Sequence, residues 1–174
     1  MSTRTRTRPQ PDETSKYFQL YTSQVPEGDI VQLLRAQIDE SLALLGSISE
    51  ERAEHRYQPD KWTIKEVVGH VTDIEWAFTY RVMRFARGDQ TPLPGVDQDV
   101  LVPGADFSTR TLASLADEWR HLRAANTVLF DSLTDEALQR TGVASDSEFS
   151  VRGILYVIAG HELHHMRVLR ERYL

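Results

Sequence analysis

Residues 160–174 read GHELHHMRVLRERYL, and the letters HELHH at positions 161–165 fit H-E-x-x-H, the signature of zinc proteases. In a helix, His161 and His165 lie one turn apart on the same face, with about 5–6 Å between their Cβ atoms. Both imidazoles can therefore reach one metal ion. Since two ligands rarely hold a metal, the stretch predicts a third ligand elsewhere in the chain.

A metalloprotease is the first function that this motif suggests, but the rest of the chain does not favour it. Thermolysin-like proteases take the third ligand from a Glu on a later helix, and metzincins take it from a later His. Only nine residues follow His165, and the acid among them, Glu171, belongs to the same predicted helix. No alternating strand that could hold an extended peptide is evident. We therefore expect no peptidase activity.

An upstream histidine is the best candidate for the third ligand. His70 lies between Val67 and Val71, which at helical spacing mark a face that points into a core. An imidazole among apolar neighbours needs a hydrogen-bond partner or a metal. The spacing alone leaves two alternatives open. His70, His161 and His165 form one metal site, or they are separate histidines that bind hydrogen-bond partners or water.

Three polar residues flank these candidates. His164 is turned about 60° from His161 around the helix, so it can line the site, support a ligand from behind or face a partner. Glu162 is turned about 100° and is either a base near the metal or, as we favour, a surface charge. Asp73, three residues after His70, can orient that imidazole or be one more solvated acid. The remaining histidines are predicted to lie at the surface: His55 and His121.

Amphipathic patterns predict four long helices. Asp29 is placed to cap the first, and residues 63–66, TIKE, form a capping box that opens the second. Ser108 is predicted to open the third helix, and Ser150 to cap a fourth that runs nearly to the C-terminus. These helices predict an all-α fold, a four-helix bundle with a long crossover between helices 2 and 3.

The segments between the helices are predicted to be irregular. The crossover, residues 88–106, contains three prolines and three glycines. Its residues 91–95, TPLPG, are apolar and stiff, so we expect them to rest over the metal pocket or, nearly as readily, to be a plain connection. Residues 142–150, GVASDSEFS, are expected to form a loop. Residues 1–12 are polar and are predicted to be a disordered tail, which leaves residues 13–174 as a single domain.

Composition limits the function classes. The net charge of −6 argues against nucleic acid as a partner, because phosphate binding requires a basic surface. The chain contains no cysteine, which excludes thiolate ligands and a protein thiol nucleophile and fits a cytoplasmic location. Its apolar runs are too short to span a bilayer, so no membrane association is expected.

Three blocks of sequence resemble the DinB/YfiT-like superfamily: residues 57–81 (YQPDKWTIKEVVGHVTDIEWAFTYR), 86–99 (ARGDQTPLPGVDQD) and 158–174 (IAGHELHHMRVLRERYL). The resemblance runs from about residue 13 to the end and implies a four-helix bundle with a long crossover. It also implies one divalent metal ion at one end of the bundle, bound by His70, His161 and His165, with zinc, nickel, iron or manganese all suitable.

Family relatives include bacillithiol S-transferases and mycothiol-dependent maleylpyruvate isomerase. The resemblance therefore implies a transferase that activates a low-molecular-weight thiol for attack on a small electrophile. Two alternatives stay open. One is a metal-dependent hydrolase that uses the same triad, with Glu162 or Asp73 as the base. The other is a stress-related binding protein whose metal is not catalytic. The family also implies a homodimer.

Overall fold

The computed structural model describes residues 6–174. In chain order the helices are α1 (Lys16–Thr22), α2 (Ile30–Gly46), α3 (Glu50–Ala53), α4 (Ile64–Ala86), α5 (Gln98–Ala105), α6 (Leu112–Asp131), α7 (Asp135–Gln139) and α8 (Val151–Val168). Short 3₁₀ turns lie at Pro11–Glu13 and Phe107–Thr109, and a π turn at Leu169–Tyr173 follows α8. The two strands are β1 (Thr141–Ala144) and β2 (Ser147–Ser150).

The four long helices, α2, α4, α6 and α8, form a bundle. Helices α2 and α4 each pack against both α6 and α8, so α2 and α4 occupy opposite corners. The link between α4 and α6 spans the bundle and contains α5. The predicted four-helix bundle with a long crossover is confirmed, with a small two-stranded sheet added to it. No helix among residues 6–174 is long and apolar enough to cross a membrane.

Side-chain caps set where the long helices begin. The Asp29 carboxylate accepts the first free N–H groups of α2, and the predicted capping box of Thr63 and Glu66 opens α4. The third long helix begins later than predicted. Ser108 lies in a 3₁₀ turn and donates to Asp106, whereas Thr111 is the N-cap of α6. Both residues carry a hydroxyl that can cap a helix, so the sequence pattern could not distinguish them.

The predicted loop at residues 142–150 is wrong, because this segment pairs as an antiparallel hairpin. Its two-residue turn, Ser145-Asp146, has φ values of +52° and +56°. Turns of this primed type usually carry Asn-Gly or Asp-Gly, and that signal is missing here. The link adds to the hairpin, since the Leu93 N–H donates to Val143 at 2.9 Å and the Ser145 N–H donates to Leu93 at 3.1 Å.

The N-terminal segment packs along α8, which is buried on all sides from Val151 to Glu162. A Cβ on Gly160 would lie 2.2 Å from the Tyr21 carbonyl oxygen, so glycine lets α1 approach α8 closely.

Residues 1–5 of the predicted disordered tail lie outside the described residues. From Arg6 onward the chain contacts the bundle, and the Arg6 guanidinium donates to Asp131 at 2.8 Å.

A buried ion cluster joins the four helices. Arg123 of α6 donates to Glu75 of α4 at 2.7 Å and to Glu162 of α8 at 2.8 Å. It also donates to the Leu34 carbonyl of α2 at 2.9 Å, and Ser41 of α2 donates to Glu162 at 2.6 Å. Burial alone would lower the pKa of Arg123, but the charges of Glu162 and Glu75 raise it above the usual range. Arg123 therefore stays protonated, whereas burial raises the pKa of Glu162.

Each carboxylate oxygen of Glu75 also accepts a second hydrogen bond. Trp119 Nε1 donates to it at 2.8 Å and Asn126 Nδ2 donates at 2.9 Å. A buried charge is tolerated only when such partners compensate for the lost water. We therefore expect removal of the single cation to destabilise the whole cluster.

The substitution Arg123→Met tests this expectation. It leaves two buried carboxylates without a cation and should lower the free energy of unfolding by about 3–5 kcal/mol. Urea unfolding followed by circular dichroism measures the change. Arg120→Met, on the exposed side of the same helix, is the control and should change stability by at most about 1 kcal/mol. Equal effects of the two substitutions would show that the cluster does not stabilise the bundle.

Candidate metal centre

Three histidines from two helices converge at one point. His70 comes from α4, and His161 and His165 come from α8. The Nε2 atom of His161 lies 3.1 Å from the Nε2 atoms of both His70 and His165. One ring nitrogen from each residue lies within 4.8 Å of the other two. The structure thus brings together the three residues that the sequence predicted.

The geometry of the triad fits a shared cation. With zinc–nitrogen bonds of about 2.0–2.1 Å, two nitrogens of a tetrahedral site are about 3.3 Å apart, close to the 3.1 Å seen here. Hydrogen bonds alone satisfy the group poorly, because the single Nε2 proton of a neutral His161 can point at only one of its two neighbours. One metal ion would accept the lone pairs of all three rings.

The protonation state of the triad also suits a metal. Burial lowers the pKa of His70 to about 4 and that of His165 to about 3, and in His165 the neighbouring histidines contribute. Burial, followed by the charges of the other histidines, lowers the pKa of His161 well below its ordinary value. Imidazole binds metals in its neutral form, so these three ligands are ready at neutral pH.

Aromatic rings hold the triad in place. The Trp62 ring lies 4.8 Å from the His70 ring, between centroids. Tyr21 of α1 packs edge-on against His161 and against His164, with both centroid distances at 5.5 Å. The close approach of α1 to α8 thus brings a tyrosine to the centre.

A cavity of about 300 Å³ opens beside the triad. Its lining combines aromatic and aliphatic side chains with a comparable share of polar groups, and the described residues that form it include no Asp or Glu. Asp60 and Asp99 border an adjoining groove, which shares His164 and His165 with the cavity. The lining of the cavity comprises Tyr17, Phe18, Tyr21, Trp62, His70, Ile74, Phe78, Arg81, Val96, Gln98, Ser145, Val157, His161, His164 and His165.

The other predicted site residues differ in position. His164 lines the cavity, and burial followed by the charge of Arg167 lowers its pKa. Asp73 is half-buried and borders a different, apolar cavity. Glu162 lies in the core, where Ser41 and Arg123 donate to it.

The favoured interpretation of Glu162 as a surface charge is therefore wrong, since its side chain is 1% exposed. Helix α8 is covered on both sides, so a residue that is turned away from the histidines still faces protein. The H-E-x-x-H letters are present, but the side of the helix that carries Glu162 faces Ser41 and Arg123 in the core, and Glu162 does not line the cavity.

The link contributes two residues to the cavity, Val96 and Gln98. Leu93 belongs to the core and is 9% exposed. The sequence analysis did not identify Arg81 and Ser145, which also line the cavity. A signal for Arg81 was available, because it follows His70 by eleven residues, or about three helical turns, on an otherwise apolar face.

Comparisons with known proteins agree with this fold. The family model described as the DinB superfamily matches residues 33–169. YfiT from Bacillus subtilis, described as a probable metal-dependent hydrolase with an unusual four-helix bundle topology, is similar in structure, with a TM-score of 0.73 and 19% identity over 82% of each chain. At that identity the likeness concerns the fold. Among curated proteins, none matches this chain.

Proposed function

The chain belongs to the DinB superfamily, and we propose that it is a metal-dependent enzyme in which His70, His161 and His165 hold one divalent ion next to a small-molecule cavity. The observation that carries the proposal is the convergence of three neutral imidazole nitrogens at the wall of that cavity. Three protein ligands leave room for a further ligand, as catalytic metal sites require.

The reaction that we propose is transfer of a low-molecular-weight thiol to a small electrophile. An ion at this site would lower the pKa of a thiol that binds to it and so supply a thiolate at neutral pH. The cavity supports this reaction because the described residues around it include no carboxylate that could serve as a base. A nucleophile that arrives on a substrate and is activated by ligation needs no such base.

Residues of the chain would bind and orient the two reactants. Phe18, Ile74 and Val157 offer apolar surface to an electrophile. Tyr21, which packs against His161, restricts access of water to the triad from the α1 side. The neutral His164 ring stands at the cavity edge and can take the proton that the thiol releases.

Hydrolysis is the second candidate, and His164 is the observation that favours it. A neutral imidazole at the cavity can deprotonate water without help from Glu162 or Asp73, neither of which borders the cavity. The description of YfiT as a probable hydrolase is in keeping with this alternative. A non-catalytic metal in a stress-related binding protein would show neither activity.

Metal content tests the triad. His70→Ala, His161→Ala and His165→Ala should each weaken metal affinity more than about 100-fold, because even outer partners of metal ligands contribute about 10- to 100-fold. Elemental analysis of the purified proteins measures the bound metal. The exposed His121→Ala and the cavity-lining His164→Ala are controls that should keep it. Full occupancy in His70→Ala would exclude the proposed site.

Activity separates the candidate reactions. We expect the metal-loaded protein to consume one of four thiols (bacillithiol, mycothiol, coenzyme A or glutathione) in the presence of a generic electrophile such as monochlorobimane. His161→Ala should abolish the reaction, since it removes the central ligand. Hydrolysis of an activated ester without any thiol would favour the second candidate. If neither substrate reacts with metal-loaded protein, the enzymatic proposal fails and the binding role remains.

A homodimer is the assembly that we propose. Large apolar side chains are exposed around one shallow cavity on the outer face of α4 and α5: Trp76, Tyr80, Val100 and Leu101. Their burial against a second copy would remove a contiguous apolar patch from water. Light scattering at micromolar concentration should return about twice 19.9 kDa, the mass of the chain. A mass near the monomer value would contradict the proposal.

A further inference from the structure

Arg81 is a buried cation that has no anionic partner. Its side chain is 3% exposed, and its Nη2 atom donates to the Pro94 carbonyl at 3.2 Å and to Ser145 Oγ at 2.9 Å. Both acceptors are neutral. Among residues 6–174, no carboxylate forms an ion pair with the guanidinium, and its Nε and Nη1 atoms make no hydrogen bond to the protein. Burial consequently lowers the pKa of Arg81.

The other buried cations of the described chain are paired. Arg123 binds Glu75 and Glu162, and Lys65 binds Glu54 at 2.6 Å. A guanidinium that loses water without gaining an anion is costly, and buried charges in proteins are normally paired. Arg81 does not follow this pattern, and it lines the cavity beside the triad. An anion that enters the cavity would complete the missing pair.

The position of Arg81 on α4 defines the shape of the cavity. Eleven residues separate it from His70, which places the two Cα atoms about 16 Å apart along the axis and about 20° apart around it. Ile74 and Phe78 lie between them on the same face and line the cavity. The Arg81 guanidinium lies over the Phe78 ring, 4.6 Å from its centroid. The cavity therefore has a cation at one end, the triad at the other and an apolar wall between.

We propose that Arg81 binds the carboxylate of an elongated organic acid whose uncharged end reaches the histidine triad. A carboxylate can accept two parallel N–H bonds from the guanidinium, which is the strongest pairing available to it. The apolar middle of the molecule would lie along Ile74 and Phe78. This assignment names the substrate class of the proposed enzyme and rests on the proposed function only for the reaction at the triad.

A purely structural role is the competing explanation. Through Pro94 and Ser145, Arg81 connects the link to the hairpin turn, and such a clamp would need no ligand. The two roles differ in what they require of the guanidinium. The clamp uses only Nη2, whereas recognition of an acid uses the positive charge and the free nitrogens. Binding of a charged probe and of its neutral isostere therefore distinguishes them.

The experiment is calorimetric titration of the metal-free protein with 4-phenylbutyrate and with its uncharged isostere, 4-phenylbutanamide. Without metal, the acid cannot bind by coordination, so the outcome does not depend on the proposed catalysis. The wild type should bind the acid at least about tenfold more tightly than the amide, the difference that one charge-assisted pairing supplies. Arg81→Gln should remove this preference. Arg87→Gln, at the exposed end of the same helix, removes the same charge and should keep it.

Two further variants address the clamp. Ser145→Ala removes one neutral acceptor and should retain the preference for the acid. If Arg81→Gln does not fold, Arg81→Lys replaces it and should weaken binding of the acid several-fold without changing the amide, because an ammonium cannot form two parallel bonds. The proposal is overturned if the wild type binds the two probes equally, if it binds neither at millimolar concentration, or if the folded Arg81 variant keeps the full preference.

Discussion

The Arg123 ion cluster is the interaction on which the rest of the structure depends. One guanidinium bonds to carboxylates of α4 and α8 and to a carbonyl of α2, so it joins all four long helices. The same bonds fix helix rotation. Glu162 is adjacent to His161, and Glu75 follows His70 by five residues. The rotations of α4 and α8 that bring both glutamates to Arg123 therefore also turn His70 and His161 toward each other. The arrangement of the histidine triad is thus a consequence of the packing of the bundle and not an addition to its surface.

This arrangement explains why a protease motif has a different meaning here. In H-E-x-x-H, the acid activates water at the metal only if its side of the helix faces the substrate. In this bundle that side faces Arg123 and Ser41, which use both oxygens of Glu162. The motif describes spacing along a helix. The chemistry depends on what each side of that helix meets. The first twelve residues of α8 are all buried, and among them only the side with Val157 and His161 borders the cavity.

The sequence predicted those features that depend on periodicity. The long helices follow from three- and four-residue apolar steps. The spacing of His161 and His165 with an inward His70 left one metal site and separate histidines as alternatives, and the family resemblance favoured the metal site. The hairpin was missed because its turn at Ser145 lacks a glycine signal. The pairing of charges was also missed, because an Arg on one helix and a Glu on another have no fixed separation along the chain. Arg123 could be seen as polar on an apolar face, but its partners could not.

Arg123 and Arg81 are both buried, but their partners differ. Arg123 binds two carboxylates and does not line the cavity. Arg81 has only neutral partners and borders the cavity. The interior acids are thus used to join helices, and the described cavity wall has cationic and neutral groups only. An anionic reactant meets no repelling carboxylate there, and it would supply the anionic partner that Arg81 lacks.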